Sequence, residues 1–461
     1  MSAHEPSEQL RKVFAWIDDQ REAAIADLQR FCQQPSVAAQ GLGMREMAAV
    51  VEQSLADLGA STSLIPTSGY PVVAGTLEGE GERRLVIYNH YDVQPPEPLE
   101  EWVSPPFEPT IRDEALYARG VADNKGNVVA RLWAAQAWLA VRGSLPCALT
   151  FIIEGEEEVG SPHLGEFAAA NRHLLRGDAC LWEAGYRSPS GALSLYCGLK
   201  GILYVELRVK GVAYDLHSSA ATLAPNAAWR LVEALKSLRD AEGRVLIPGF
   251  YDDVRPPTAR ELELLRASPV DAESLRRTWG VDRLLGPSQD PFDLTVRDLF
   301  EPTCNIAGIW GGYSGPGSKT VLPATAAAKI DFRLVPDQDP RRIAGALRDH
   351  LARSGFSDVE VVEMEGSERP AQSPVDTPLV DALVGSALTV YGLTPRVLPR
   401  MAATGPMEQL CQRYGLPAVG GAGVGYPGSR THAPNENIKV DDFVLGIKHV
   451  AALFEAFATP S

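Results

Sequence analysis

The chain has 461 residues, more than one ordinary hydrophobic core holds, so two domains are expected. Its 45% apolar and 22% charged residues give the balance of a soluble globular protein. A formal net charge of -16 argues against nucleic acid or an anionic membrane as partner, since either favours a basic surface.

The residues up to about 30 read as a helix, and their polar, charged start does not read as a signal peptide. "QQPSVAAQG" reads as a loop and 45–58 as a second helix. Strand-like and helix-like segments then alternate: "RLVIYNH", "ALYARG", a helix over about 126–141 closed by Gly143, "ALTFIIEG", a helix near 162–175, and "DACLWEA". Short buried strands between helices predict a layered, mostly parallel α/β sheet. After "YCGLKG" the texture changes. "ILYVELRVKG" and "AAAKIDFRLVP" alternate with period two, as half-solvated strands do. Between them lie a helix near 226–241 and a Pro- and Arg-rich stretch over 248–302. "RRIAGALRDHLARSG" reads as an amphipathic helix and "DVEVVEME" as a further strand. "PAVGGAGV" and a last helix over about 441–457 resume the earlier style. The expected organisation is therefore a catalytic domain of 1–199 and 373–461, interrupted by an α+β domain of 200–372. No apolar run reaches the roughly 18 residues of a membrane span. Six scattered cysteines without a CxxC pair fit reduced thiols in a cytoplasmic protein.

Open α/β sheets bind ligands beyond the carboxyl ends of their strands. "LVIYNHYDV" delivers His90 and Asp92 to such an end, "FIIEGEEEVGS" Glu157 and Glu158, and "ACLWEAG" Glu183. "ARGVADNKGN" places Asp123 just before a helix, and "GSRTHAPNEN" places His432 in a Gly/Pro-bounded loop. Each alone is weak, because a lone histidine or a glutamate run is more often ordinary surface. As a set, histidine nitrogen and carboxylate oxygen suit zinc, manganese or cobalt better than calcium. No thiolate joins the set, which disfavours a structural zinc finger.

"HYDVQP", "ARGVADNKG", "EGEEEVGS", "DLHSS", "TCNIAGIWGGYSGPGSKTVLPATAAAKIDFRLVP" and "THAPNE" together resemble the carnosinase and aminoacylase-like dinuclear metallopeptidases. That family also includes carboxypeptidase G and acetylornithine deacetylase. The ordered match runs from about residue 30 to the C-terminus and looks closest to the dipeptidase branch. The resemblance implies two divalent metal ions, zinc foremost, with manganese or cobalt as alternatives. It implies that Asp123 bridges them, that His90 and Glu183 complete one site, and that Glu158 and His432 complete the other. It further implies Asp92 as the support of His90, Glu157 as general base, and a cis peptide bond after Asp123. Glu154 and Glu156 are left structural or solvated. His217 in "AYDLHSS" resembles a histidine that steadies the oxyanion in the partner subunit's site, so the inserted domain would be a lid and dimerisation domain. Asn305 and Arg333 resemble substrate-facing residues, Arg333 as the clamp on a terminal carboxylate.

The pattern departs at "RMAATGPME", where relatives carry a Gly-Gly-Ser/Thr segment. Ala402 and Ala403 stand for the glycines and Thr404 for the hydroxyl residue, so the substrate wall is expected to differ. The sequence thus predicts a metal-dependent hydrolase of a peptide or N-acyl amide bond beside a free carboxylate, a dipeptidase or short-peptide carboxypeptidase. An N-acyl-amino-acid deacylase or amidohydrolase would share the metal site. A catalytically silent binding protein would lack a ligand or the base, and every expected position is filled.

Overall fold

The computed structural model describes residues 5–188 and 190–458. The chain forms two compact units, one up to Gly198 with Gln372–Pro399 and from Pro406 onward, the other Leu199–Ala371 with Arg400–Gly405. The return of 400–405 to the second unit is not anticipated by a single insertion of 200–372.

Among the described residues the main sheet of the first unit has nine strands. In spatial order they run Ser61–Ile65, Val72–Leu77, Ala148–Glu154, Arg84–His90, Ala179–Trp182, Ala418–Gly420, Leu193–Tyr196 and Arg396–Leu398, with Tyr186–Arg187 paired to Leu193–Tyr196 off this path. The centre is parallel: Arg84–His90 lies between Ala148–Glu154 and Ala179–Trp182, and the latter pairs with Ala418–Gly420. Towards the flanks antiparallel pairs appear, so the sheet is mixed rather than mostly parallel. The reason on one side is the six-residue link "PTSGYP", which can close a hairpin but is too short for a parallel crossover. Every residue of Ala148–Glu154 is buried, as expected of a strand covered on both faces.

Helix Lys125–Arg142 stops at Gly143, whose φ of 79° is the left-handed turn that glycine supplies. Trp138 of this helix is buried and donates to the Ala451 carbonyl of the last helix, Val440–Ala458, at 2.9 Å. The opening segment forms two helices, Glu8–Asp19 and Arg21–Gln33, rather than one. Among the described residues no helix is long and apolar enough to cross a membrane.

In the second unit the strand order is Asn305–Gly311, Thr325–Leu334, Gly201–Lys210, Glu360–Glu363, all antiparallel. The predicted alternation is visible, with Leu203, Val205, Leu207, Ile330, Phe332 and Leu334 on the covered face. Helices Ala227–Leu238 and Pro340–Arg353 supply Leu231, Leu238, Leu347 and Leu351 to the same core. The stretch 248–302 contains the helices Ala259–Ala267, Ala272–Trp279 and Pro291–Phe300. Thr258 and Glu261 form a reciprocal capping box at the first of these.

Candidate metal centre

Three neighbouring parallel strands deliver their last residues to one edge of the first unit. Arg84–His90 ends on His90, Ala179–Trp182 ends one residue before Glu183, and Ala148–Glu154 runs into a tight turn over Glu157–Val159. Asp123 stands immediately before helix Lys125–Arg142, and the peptide bond from Asp123 to Asn124 is cis. His432 comes from a loop that it enters with a φ of 64°.

Asp123 is the centre of the arrangement. Its Oδ1 lies 3.1 Å from His90 Nε2, and its Oδ2 lies 3.2 Å from His432 Nε2. Glu183 Oε2 lies 3.6 Å from His90 Nε2, and Glu158 Oε2 lies 3.2 Å from His432 Nε2. One oxygen of Asp123 thus belongs to a His90–Glu183 group and the other to a Glu158–His432 group. Ligand atoms of Asp123, Glu158 and His432 all fall within 4.8 Å of one another. Glu158 Oε1 and Glu183 Oε2 are buried without a hydrogen-bond partner. An orphaned buried carboxylate oxygen is costly, and a cation between these groups would satisfy both. The donor set therefore fits divalent metal.

Asp92 serves two neighbours. Its carboxylate lies 3.3 Å from His90 Nδ1, and the Asp92 carbonyl lies 3.0 Å from the same nitrogen. The carboxylate also accepts from the backbone N–H groups of Glu157 at 3.2 Å and Glu158 at 3.0 Å. One side chain thereby fixes a histidine ring and the turn that carries the two glutamates. Gln94 donates to Glu158 Oε2 at 2.9 Å, and Trp182 Nε1 donates to Glu183 Oε1 at 3.1 Å. The half-buried Glu157 carboxylate receives no hydrogen bond from the described residues.

The electrostatics reflect crowded carboxylates. Burial pushes Glu157 well above the usual carboxylate range, and the negative charge of Glu183 adds to this. Burial raises Glu183 to about 7 against the pull of His90. Burial opposes a charge on His90, yet hydrogen bonds to Asp123 and Asp92 hold its pKa well above the ordinary value. Hydrogen bonds to Asp123 and Glu158 raise His432 to about 10. Glu154 and Glu156 are both buried rather than solvated: Glu154 accepts from Tyr88 Oη at 2.6 Å and Ser161 Oγ at 2.9 Å, and Glu156 lies 2.8 Å from His163 Nδ1.

Two buried groups around the cluster escape the sequence reading. Arg131 donates to the carbonyls of Tyr88, Trp182 and Glu183 and to Asn89 Oδ1, at 2.5–2.7 Å. It ties together the ends of the strands that carry His90 and Glu183, while Asn89 donates onward to Asn124 Oδ1. Glu436 collects backbone N–H groups of the Asp123 turn. For Glu436 the available signal was an acid inside the "THAPNE" motif.

The remaining predicted residues lie in the second unit. Arg333 Nη1 donates to Thr404 Oγ1 at 2.6 Å, and Arg333 Nε lies 3.9 Å from Asp331 Oδ1. Asn305 Nδ2 donates to Asp331 Oδ2 at 2.8 Å. Ala403 and Met401 offer their carbonyls to the N–H of Lys200. The exposed His217 has Nδ1 2.8 Å from Ser219 Oγ and Nε2 3.2 Å from Thr320 Oγ1.

A mixed α/β sheet with His–carboxylate donors gathered at strand ends defines a metallohydrolase. The chain belongs to Peptidase family M20/M25/M40, whose family profile matches residues 86–456. It is similar to an M20 family metallo-carboxypeptidase from Sulfolobus solfataricus, with a TM-score of 0.89 and 39% identity over 94% of this chain and 99% of that one. It is 28% identical to the Beta-Ala-His dipeptidase of Homo sapiens over 97% of this chain and 93% of the relative. It is 27% identical to a Cys-Gly metallodipeptidase of Schizosaccharomyces pombe, over 95% and 96% respectively.

Proposed function

We propose that the chain is a dipeptidase or short-peptide carboxypeptidase that hydrolyses the amide bond next to a free carboxylate. The observation that carries this reading is the division of Asp123, one oxygen towards His90 and Glu183, the other towards Glu158 and His432. Two ions held there, zinc or else manganese or cobalt, would lower the pKa of water and polarise the scissile carbonyl. Asp123 would bridge them, with His90 and Glu183 on one side and Glu158 and His432 on the other. Asp92 would hold the His90 ring in its ligating tautomer. Glu157, held in the same turn as Glu158 and with a carboxylate that accepts no hydrogen bond among the described residues, would take the proton of the attacking water and return it to the leaving amine. Arg333, oriented by Thr404, would clamp the substrate carboxylate, with Asn305 as a further polar contact.

A homodimer through the second unit is part of the proposal. Strand Asn305–Gly311 is a sheet edge that exposes Ile306, Ile309 and Trp310, and helix Ala227–Leu238 exposes Trp229 and Val232. A second copy covering these groups would satisfy an otherwise open apolar edge. His217 would then act in the partner subunit's site, steadying the oxyanion. A cytoplasmic setting is supported by the six cysteines, all free and buried.

The test combines metal analysis with a panel of dipeptides and N-acyl amino acids, each assayed with zinc, manganese and cobalt. Dipeptide turnover supports the proposal. Turnover confined to N-acyl amino acids would replace it with the deacylase reading, and a metal-free, inactive protein would sink both. Glu157→Gln is expected to lower kcat by about 10²–10⁴-fold with metal content retained. Loss of metal in that variant would instead make Glu157 a ligand.

A further inference from the structure

Glu436 is 1% exposed, and both of its oxygens are fully used. Oε1 accepts from the N–H of Ala122 at 2.8 Å and of Asp123 at 3.1 Å. Oε2 accepts from the N–H of Gly120 at 2.9 Å and from Arg119 Nη1 at 2.8 Å. The Glu436 carbonyl accepts from the N–H of Ala118 at 3.1 Å. One side chain thus accepts from three of the six backbone N–H groups of residues 118–123, the segment that leads to Asp123.

The same residue sits four positions beyond His432, in a loop held at several points. Asn437 pairs with Ser429 through its N–H at 2.9 Å and donates to the Gly428 carbonyl at 3.0 Å. Asn435 donates to the Glu101 carbonyl at 2.8 Å and accepts from the N–H of Val103 at 2.9 Å. Arg119, also 1% exposed, is anchored in turn on the Pro95 carbonyl at 3.2 Å. Glu436 therefore ties the turn 118–123 to the His432 loop just beyond the point where strand Asn437–Lys439 pairs with Ala115–Tyr117.

A buried ion pair alone is weak evidence of purpose, because desolvation can cancel its attraction. Here burial raises the Glu436 carboxyl above the ordinary carboxylate value, and the negative charge of Asp123 adds to this. A device for stability would avoid that neighbourhood. What the location does provide is a fixed distance between Asp123 and His432, the pair that meets at 3.2 Å.

We propose that Glu436 is a positioning residue that locks the Asp123 turn to the His432 loop, so that both side chains reach their ion together. It touches neither ion nor substrate. The inference rests on the ligand set given above.

The experiment measures zinc affinity by chelator competition, and manganese affinity separately, on the full-length protein. Four forms are compared: the wild type, Glu436→Gln, Arg119→Met/Glu436→Gln, and Asp123→Asn. A glutamine oxygen can still accept from Ala122 and Asp123, but its amide opposes the N–H of Gly120 and leaves Arg119 unpaired. The single variant is expected to lower zinc affinity by about 10–100-fold, the usual size of an effect exerted through a ligand's supports. The double variant removes the unpaired arginine, so its metal-free thermal stability returns towards wild type while the affinity loss stays. That split is what a purely structural role would not produce. Should the double variant, folded, bind zinc as the wild type does while Asp123→Asn does not, the positioning role is wrong and the ligand set stands. Wild-type affinity in Asp123→Asn would overturn the ligand set itself, and the inference with it.

Discussion

Two histidines of the first unit are equally hidden and behave in opposite ways. His90 at a strand end and His449 in helix Val440–Ala458 are both 0% exposed. Around His449 burial outweighs a backbone hydrogen bond to Leu383 and pushes the ring down to about 4, so it is neutral and packs edge-on against Tyr391. Around His90 the same burial is outweighed by Asp123, Asp92 and the charge of Glu157, and the ring is held well above its ordinary value. Burial therefore does not distinguish a core histidine from a candidate ligand. Its carboxylate company does: a region that gathers this many acids in the interior is stable only when a cation occupies it. Without metal that cation is a proton on histidine.

The largest effect should come from breaking that company. His90→Ala and His432→Ala are each expected to lose metal by more than the roughly 10–100-fold of a supporting residue, and turnover with it. His449→Leu should leave metal content untouched. These two variants also differ from each other. The His432 side chain is 52% exposed and leaves the surface on a loop, whereas the His90 side chain is 1% exposed. An exposed ligand can be replaced by solvent or added imidazole, so imidazole should restore part of the activity of His432→Ala and none of that of His90→Ala. Equal rescue of both would show that the asymmetry has no functional weight.

That contrast also explains what the sequence could reveal. His90 and Glu183 stand out in the sequence because a buried parallel strand is a near-continuous apolar run, and a histidine or acid at its end is out of pattern. His432 needed the motif around it, because a loop has no period to violate. Arg131 was not legible: its partners are carbonyls at the ends of two different strands, a juxtaposition that only the folded sheet creates. The same holds for 400–405, whose place in the second unit depends on contacts such as Lys200 with the Met401 and Ala403 carbonyls. The helices within 248–302 were hidden by proline and arginine. Even so, the Thr258–Glu261 capping box and Pro291 at a helix start are local helix signals within that stretch.

Arg333 inverts the case of His90, as a cation with too little anionic company. One of its donors goes to the neutral Thr404 hydroxyl, and its nearest carboxylate, on Asp331, is 3.9 Å away. A substrate carboxylate would supply the missing partner. Arg333→Met is therefore expected to reduce kcat/KM for carboxylate-bearing substrates by about 10–100-fold, the range of a hydrogen bond to a charged group. Thr404→Val, which keeps the arginine but frees its fork, should cost less. If neither change alters kcat/KM, the clamp role fails and the cluster is only a surface feature of the strand.

The smallest effect tests the other side of the comparison, the histidine without acids. As pH falls, an unfolded chain protonates His449 near its ordinary value of 6.5, while the folded chain resists until about 4. The depressed pKa thus favours the folded state fully above 6.5, and that advantage is lost progressively between 6.5 and 4. At pH 5 the loss is on the order of 2 kcal/mol relative to neutrality. His449→Leu removes the titrating ring and keeps an apolar side chain in the helix. The variant should lose less stability than wild type between pH 7 and pH 5 in denaturant unfolding of the metal-free protein, whatever its absolute stability. His90 cannot contribute this way, because its acids hold the proton in the folded state. Parallel losses in wild type and variant would mean that His449 is not kept neutral by burial, and the contrast with His90 would disappear.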